Sequence, residues 1–373
     1  MTIAVAGLVL VIVVMWDVFE AMVLPRRVTR RLRPTRVFYR ITWGIVSSVA
    51  RRMGASARRD ASLAFYGPLS LLLLINLWAA ALIVSFAMAY WGLGVPLHPE
   101  AIGFGDYLYL SGTTFFTLGF GDLVPTGRSG RILSVVEAGT GFAFLALVIG
   151  YLPVLYQAFS RREVTITLLD ERAGSPPSAE ELLRRHAADP DELRQLLVRW
   201  ELWSAEVLES HLSYPVLSFY RSQHDNQSWL AALTTIMDAC ALAVVSLSGP
   251  IARQAQLTFA IARHTVVDLS QVLRTPPLAP ATNRLPAREL AELRATVAAA
   301  GMVLDDAPAA DGRLDELRRM YEPYVNALCT YLMLELPPWR VPTKRHENWR
   351  TSAWERRAAG GDALPLLDVH DDD

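Results

Sequence analysis

Thr117-Leu118-Gly119-Phe120-Gly121-Asp122 is the stretch on which the reading of this chain turns. Glycines 119 and 121 alternate with larger residues, and glycine takes left-handed backbone conformations at little steric cost. Alternating the hand along a short segment aims successive carbonyls the same way. Four copies around one axis then make stacked rings of carbonyl oxygens, which replace the hydration shell of a potassium ion. The same two glycines also suit an ordinary tight turn, so the surroundings carry the decision.

Hydropathy supplies those surroundings. From Ala61 to Leu97 the chain is apolar, small or aromatic, with Asn76 the one strongly polar side chain. From Ile132 to Phe159 the pattern returns, broken by Glu137 and Gln157. Both runs exceed the roughly 20 residues that cross a bilayer as a helix. Between them Asp106 to Phe116 is mostly apolar and helix-compatible, yet too short to span. A half-helix that enters and returns is tolerated where protein or water covers its backbone. The order is helix, re-entrant half-helix, glycine segment, helix.

Residues 62–159 resemble the pore module of the potassium channel superfamily. The signature Ser-x-x-Thr-x-x-Thr-x-Gly-Phe-Gly-Asp is matched by Ser111, Thr114, Thr117, Gly119, Phe120, Gly121 and Asp122. The resemblance implies potassium sites formed by the carbonyls of Thr117, Leu118, Gly119 and Phe120 with the Thr117 hydroxyl. It implies that Gly121 closes the outer mouth and Asp122 braces the filter from behind, with Thr113 and Thr114 as further support. Phe120 stands where tyrosine is commoner, and Leu110 stands where its aromatic hydrogen-bond donor usually sits. Removing both ends of a hydrogen bond is nearly neutral, whereas removing one strands the other. This filter is therefore expected to be held more by packing. Phe116 replaces a second threonine common in relatives. None of these changes touches a coordinating backbone group.

Met1 to Leu24 is a third apolar segment, followed by Arg26, Arg27, Arg30, Arg31, Arg33, Arg36, Arg40, Arg51, Arg52, Arg58 and Arg59. Basic residues beside helix ends face the cytoplasm. Residues 25–61 are therefore placed inside and the N-terminus outside, so that the filter faces out and the third span returns to Arg161 and Arg162. A cleaved signal peptide would carry its charge before the apolar run, and here the charge follows. Val37 to Val49 mixes aromatics and aliphatics with arginines, which suits an interfacial helix or a connecting helix packed on the protein.

Ionisable groups inside a membrane are candidates for function. Glu137 is expected either to support the pore helix, through Thr113, Thr114 or a neighbouring helix, or to act in gating, or else to be a carboxyl kept neutral or bonded to Ser, Thr or backbone at a helix contact. Asp17 and Glu20, near Arg26 and Arg27, are expected to form interface ion pairs. Gly139 and Gly141 lie mid-helix where inner helices of the resembled family bend, and Pro153 removes an amide donor and kinks a helix. These three are the expected gating hinge, with close helix packing as a compatible role for the small residues.

Beyond Arg162 the sequence is that of a soluble protein. Glu163 to Leu168 reads as a short strand or linker, and Ala173-Gly174-Ser175-Pro176-Pro177 as a break. Helical periodicity follows over about 178–188, 190–212, 227–247, 250–274, 287–300 and 311–335. No repeat and no Gly-x-Gly-x-x-Gly after a strand occurs, so a nucleotide-binding Rossmann domain is not indicated. His264 with Asp268, and His211, His224 and Asp225, suggest no metal site. Cys240 and Cys329 fit reduced thiols in a cytoplasmic core.

The expectation is an all-α membrane protein, not an enzyme. Residues 1–61 form the first helix and a basic segment, 62–162 the pore module, 163–336 a helical cytoplasmic regulatory domain, and 337–373 a disordered tail. Trp339, Trp349 and Trp354 in that tail offer contacts to membrane or another subunit. Because each subunit supplies one filter segment, a homotetramer in the inner (plasma) membrane is required. Potassium is the permeant ion, with no cofactor and no nucleic-acid partner, and with room for an unidentified ligand of the helical domain. The alternatives are a weakly selective cation channel and a non-conducting sensor with a vestigial pore.

Overall fold

A computed structural model of the chain describes residues 1–24, 33–54, 57–222 and 227–340. These residues are almost wholly helical, and they divide into two compact units. The first comprises Met1–Ser160 with Ser210–Arg221, and the second Arg161–Glu209 with the chain from Ser222 onward.

The first unit is built on α1 (Thr2–Met22), α4 (Tyr66–Gly92) and the outer part of α6 (Arg128–Ala173). Between the first two lie α2 (Pro34–Arg52) and the short α3 (Ala57–Ala64), and between the last two lies α5 (Phe104–Phe115). Strands β1 (Leu97–His98) and β2 (Val124–Pro125) pair antiparallel across the outer loops. Helices α1 and α4 approach closely because small residues line their crossing. A Cβ on Gly7 would stand 2.5 Å from the Ser85 carbonyl oxygen, and one on Gly92 would stand 2.2 Å from the Ala4 nitrogen. Small residues that let backbones meet are how helices associate where lipid supplies no hydrophobic drive. Val14, Val18, Leu74, Trp78, Leu82, Phe115 and Phe144 form the core behind that crossing.

Among the described residues, four helical stretches are long and apolar enough to cross a membrane: Thr2–Met22, Arg58–Gly92, Arg128–Ala173 and Trp229–Ser246. The first three match the expected spans. The fourth, α9 (Trp229–Ser246), is buried within the protein along almost its whole length. It is the central helix of the second unit, where burial in protein explains the same composition that burial in lipid explains elsewhere.

Around α9 the second unit places α7 (Ala179–Arg185), α10 (Gly249–Leu273), α11 (Ala287–Ala299) and α12 (Pro308–Leu332), with α8 (Pro190–Ser213) packed on α10. Thr258 and Thr265 of α10 donate to the carbonyls of Leu197 and Ser204 at 2.9 and 3.0 Å. Asp238 on α9 is fully buried, pairs with Arg284 at 2.7 Å and accepts the Tyr321 hydroxyl. Burial pushes its carboxyl up and Arg284 pulls it back.

Three expectations change. Glu163 to Leu168 is neither strand nor linker but part of α6, which runs unbroken to Ala173. The start of the expected tail is packed: Trp339 is buried in the second unit with the Arg284 and Arg318 guanidinium carbons 5.7 and 5.6 Å from its ring centroid, so it is not free to meet membrane or another subunit. Trp349 and Trp354 lie outside the described residues. Finally, the helical domain expected over 163–336 is interrupted, because 210–221 belongs to the first unit. There Pro215–Phe219 forms a 3-10 helix whose Val216 and Leu217 pack on Leu71, Leu155 and Phe159. Phe219 enters an aromatic cage of Tyr39, Trp43 and Tyr66, with ring centroids 5.9, 5.0 and 5.3 Å away.

Candidate functional site

Helix α5 begins after Gly103, where the Asp106 carboxylate accepts the amides of Ile102 and Gly103 at 2.6 and 3.1 Å. These bonds satisfy donors that a helix start leaves without partners. The helix ends at Phe115, and the glycine segment hangs from its last turn. Thr117 N donates to Thr114 O at 3.0 Å, while Leu118 N and Gly119 N both reach Thr113 O, at 2.8 and 3.4 Å. The threonine pair 113 and 114 thus supports the segment through carbonyls.

Backbone φ is +57° at Gly119 and +77° at Gly121, the left-handed region expected of both. Thr117 joins them at +55°, which the sequence did not suggest for a β-branched residue. Left-handed residues therefore fall at 117, 119 and 121, every second position. The side chains of Leu118 and Phe120 are exposed in the protomer.

Asp122 accepts the Tyr109 hydroxyl from α5 at 2.7 Å. Phe120 and Leu110 make no such bond, as their side chains dictate, but packing is not the whole support: the adjacent Tyr109 ties α5 to Asp122, just past the glycine segment. The sequence offered its signal in the run Tyr107-Leu108-Tyr109, where Tyr109 adjoins Leu110.

Glu137 is fully buried on α6. Its partners are not Thr113 or Thr114. Ser111 of α5 bonds to one carboxylate oxygen, and the Tyr90 hydroxyl of α4 donates to the other at 2.8 Å. Thr113 and Thr114 lie on the turn below, with the Thr113 hydroxyl bonded to the Leu110 carbonyl. One acidic side chain thus joins the outer, pore and inner helices. Tyr90 was missed because nothing local in an apolar run marks which residue a distant helix will meet.

The proposed hinge residues all lie within the continuous α6. A Cβ on Gly141 would stand 2.0 Å from the Phe115 carbonyl oxygen, so this glycine seats α6 against the end of the pore helix. Gly139 faces open space in the protomer, and Pro153 lies inside the helix without ending it. At the other end of the spans, Asp17 accepts the Thr35 amide and hydroxyl and the Trp78 indole, while Glu20 accepts the Trp16 indole and pairs with Arg33 at 3.4 Å. The expected partners Arg26 and Arg27 lie outside the described residues. His264 and Asp268 approach to 3.3 Å, and no group of three His, Cys, Asp or Glu suited to a metal occurs among the described residues.

Residues 71–157 match a family model described as an ion channel. The chain is also similar to an uncharacterized membrane protein, YdjJ, of Bacillus subtilis (strain 168), with 23% identity over 239 residues covering 62% of this chain and 69% of that protein. No solved structure matches it significantly.

Proposed function

We propose that this chain, a member of the pore-loop ion channels, conducts potassium selectively through a homotetramer. The carbonyls of Thr117, Leu118, Gly119 and Phe120, with the Thr117 hydroxyl, would hold the ions. The observation that carries this is the left-handed conformation at 117, 119 and 121, in a segment hung from a half-helix between two apolar spans. Cyclic symmetry follows because one protomer contributes one side of a carbonyl ring. The arginines after α1 orient the protein with its N-terminus and filter outside and its helical domain in the cytoplasm of the cell whose plasma membrane it spans.

The test is reversal potential in mixed sodium and potassium, with the purified chain in liposomes and its mass measured in detergent. A tetramer whose reversal potential follows the potassium gradient is expected. Equal permeability to both ions would identify a weakly selective cation channel, and a folded protein without flux would identify a sensor.

The gate is assigned to the inner half of α6 and its bias to the helical domain. What supports a mechanical link is the covalent path. The chain runs along α6 into the second unit, then returns at 210–221 to pack against Leu155 and Phe159 of that same inner half. Deleting everything after Arg162 would remove this segment too and bare the apolar surface beneath it. Phe219→Ala is the cleaner change. Emptying the aromatic cage costs about 3–5 kcal/mol of packing. Single-channel recording is expected to show altered open probability with conductance and selectivity unchanged. Wild-type open probability would overturn the assignment of that link to the 210–221 segment.

A further inference from the structure

The two faces of α2 differ in a way that the pore does not use. One face is buried: Trp43, Ser47 and Ala50 are each at most 5% exposed, and Trp43 lies 4.8 Å from Tyr66, ring to ring. The other carries Ile41, Ile45 and Val49, spaced four apart and 54, 61 and 54% exposed. Successive residues at that spacing form one stripe along a helix. Arg40 and Arg51 beside the stripe and Arg52 at its C-terminal end are exposed, and α2 contains no acidic residue. Arg51 also donates to Ser48 at 3.3 Å, which aligns it along the same face.

The position of α2 is fixed by both neighbouring spans. Its first turn is held by Asp17, five residues before the end of α1, through the Thr35 amide at 3.1 Å. Its middle is held by a 2.9 Å contact between the hydroxyls of Thr42 and Tyr66, the first residue of α4. At 1.5 Å per residue, Asp17 lies about 7 Å inside the end of α1. A helix pinned there lies where hydrocarbon gives way to headgroups, on the side of the spans away from the filter. An apolar stripe with Arg40 and Arg51 on one flank and Arg52 at its C-terminal end suits that boundary, since an interfacial helix buries its apolar stripe by several Å and keeps its cations among phosphates.

We infer that the Ile41–Ile45–Val49 stripe with Arg40, Arg51 and Arg52 is a docking surface for anionic phospholipid. The inference rests on the membrane-spanning reading of the chain and not on potassium conduction. Its consequence is that lipid bears on the helix whose opposite face cages Phe219.

The experiment uses the full chain with Ser48→Cys labelled by an environment-sensitive fluorophore, Cys329 replaced by serine and the buried Cys240 left in place. It is reconstituted in phosphatidylcholine vesicles with and without phosphatidylglycerol, each with nitroxide-labelled lipid. Blue-shifted emission quenched by shallow nitroxides is expected, with stronger quenching when phosphatidylglycerol is present. Arg40→Gln, Arg51→Gln and Arg52→Gln should together abolish the phosphatidylglycerol dependence, each weakening it about fivefold. Ile41→Ser with Ile45→Ser and Val49→Ser, all at exposed positions, should remove the blue shift. Emission blue-shifted but untouched by lipid nitroxides would mean that a second copy of the chain or another protein segment covers the stripe, and overturns the inference. Quenching equal in both lipids overturns the anionic preference. Neither readout needs a conducting pore, so failure here is distinct from failure to conduct.

Discussion

Gly119→Ala is expected to abolish potassium flux while leaving the tetramer assembled. The residue sits at φ +57°, and a left-handed conformation costs a residue with a Cβ about 1–2 kcal/mol. No neighbouring atom in the protomer would touch the added methyl, so folding is not blocked sterically. Backbone strain is the entire effect within one chain, and it is repeated in every subunit of the ring. Thr117 tolerates the same conformation at +55° because its amide is fixed by the Thr114 carbonyl at 3.0 Å. Gly119 N reaches Thr113 O only at 3.4 Å, so its peptide has less to hold it when strain favours a flip. A flipped peptide turns a carbonyl away from the axis and puts an amide hydrogen where an ion should bind. Liposome flux and detergent mass read the two halves of the expectation separately. Thr117→Ala should be milder, since the innermost site loses a hydroxyl and keeps its carbonyl. Normal flux through the Gly119→Ala protein would overturn the filter assignment.

The parts of this fold that the sequence disclosed are those set by local chemistry. Spacing of two glycines after Thr117 specified left-handed backbone at 119 and 121, though not at Thr117, and runs of apolar residues specified three helices long and apolar enough to cross a membrane. Periodicity placed the helices of the second unit within a few residues. What stayed hidden depends on encounters between distant segments. Val216, Leu217 and Phe219 form too short an apolar run to announce that they leave the soluble unit for Tyr39, Trp43 and Tyr66. Helix α9 carries the hydropathy of a span because composition does not record whether lipid or protein surrounds it. Trp339 is read from sequence as part of a loose tail, yet two arginines from elsewhere in the second unit hold it. Gly141 illustrates the intermediate case. Its small size was evident, but its contact with the Phe115 carbonyl shows that size serves a close approach to the pore helix.

Glu137→Val is expected to shorten open times and lower the thermal stability of the tetramer, whereas Glu137→Gln should conduct nearly as wild type. The argument rests on hydrogens. Around Glu137 five oxygen pairs stand within bonding reach. They are Ser111 with Ile83 O at 2.8 Å, Ser111 with Glu137, Tyr90 with Glu137 at 2.8 Å, Tyr90 with Ser134 at 3.0 Å, and Ser134 with Gly130 O at 3.1 Å. Ser111, Tyr90 and Ser134 bring one hydroxyl hydrogen each, so an acceptor-only side chain at 137 leaves at least two pairs without one. A glutamine adds donors: its amide nitrogen bonds the Ser111 oxygen while its carbonyl accepts from Tyr90, and Ser111 keeps Ile83. The three helices then remain joined. Valine offers neither donor nor acceptor. Ser111 and Tyr90 fall back on Ile83 and Ser134, so no hydroxyl is stranded, but the tie between α4, α5 and α6 is gone. Two lost bonds are worth roughly 1–3 kcal/mol per subunit, and the loss is repeated around the ring. Because Ser111 lies six residues before Thr117 on the helix that carries the filter, slack there reaches the carbonyl rings. Single-channel dwell times and melting of the purified tetramer measure both consequences. Wild-type behaviour from the valine protein alongside impaired gating in the glutamine protein would refute the brace and assign Glu137 a role that depends on its proton.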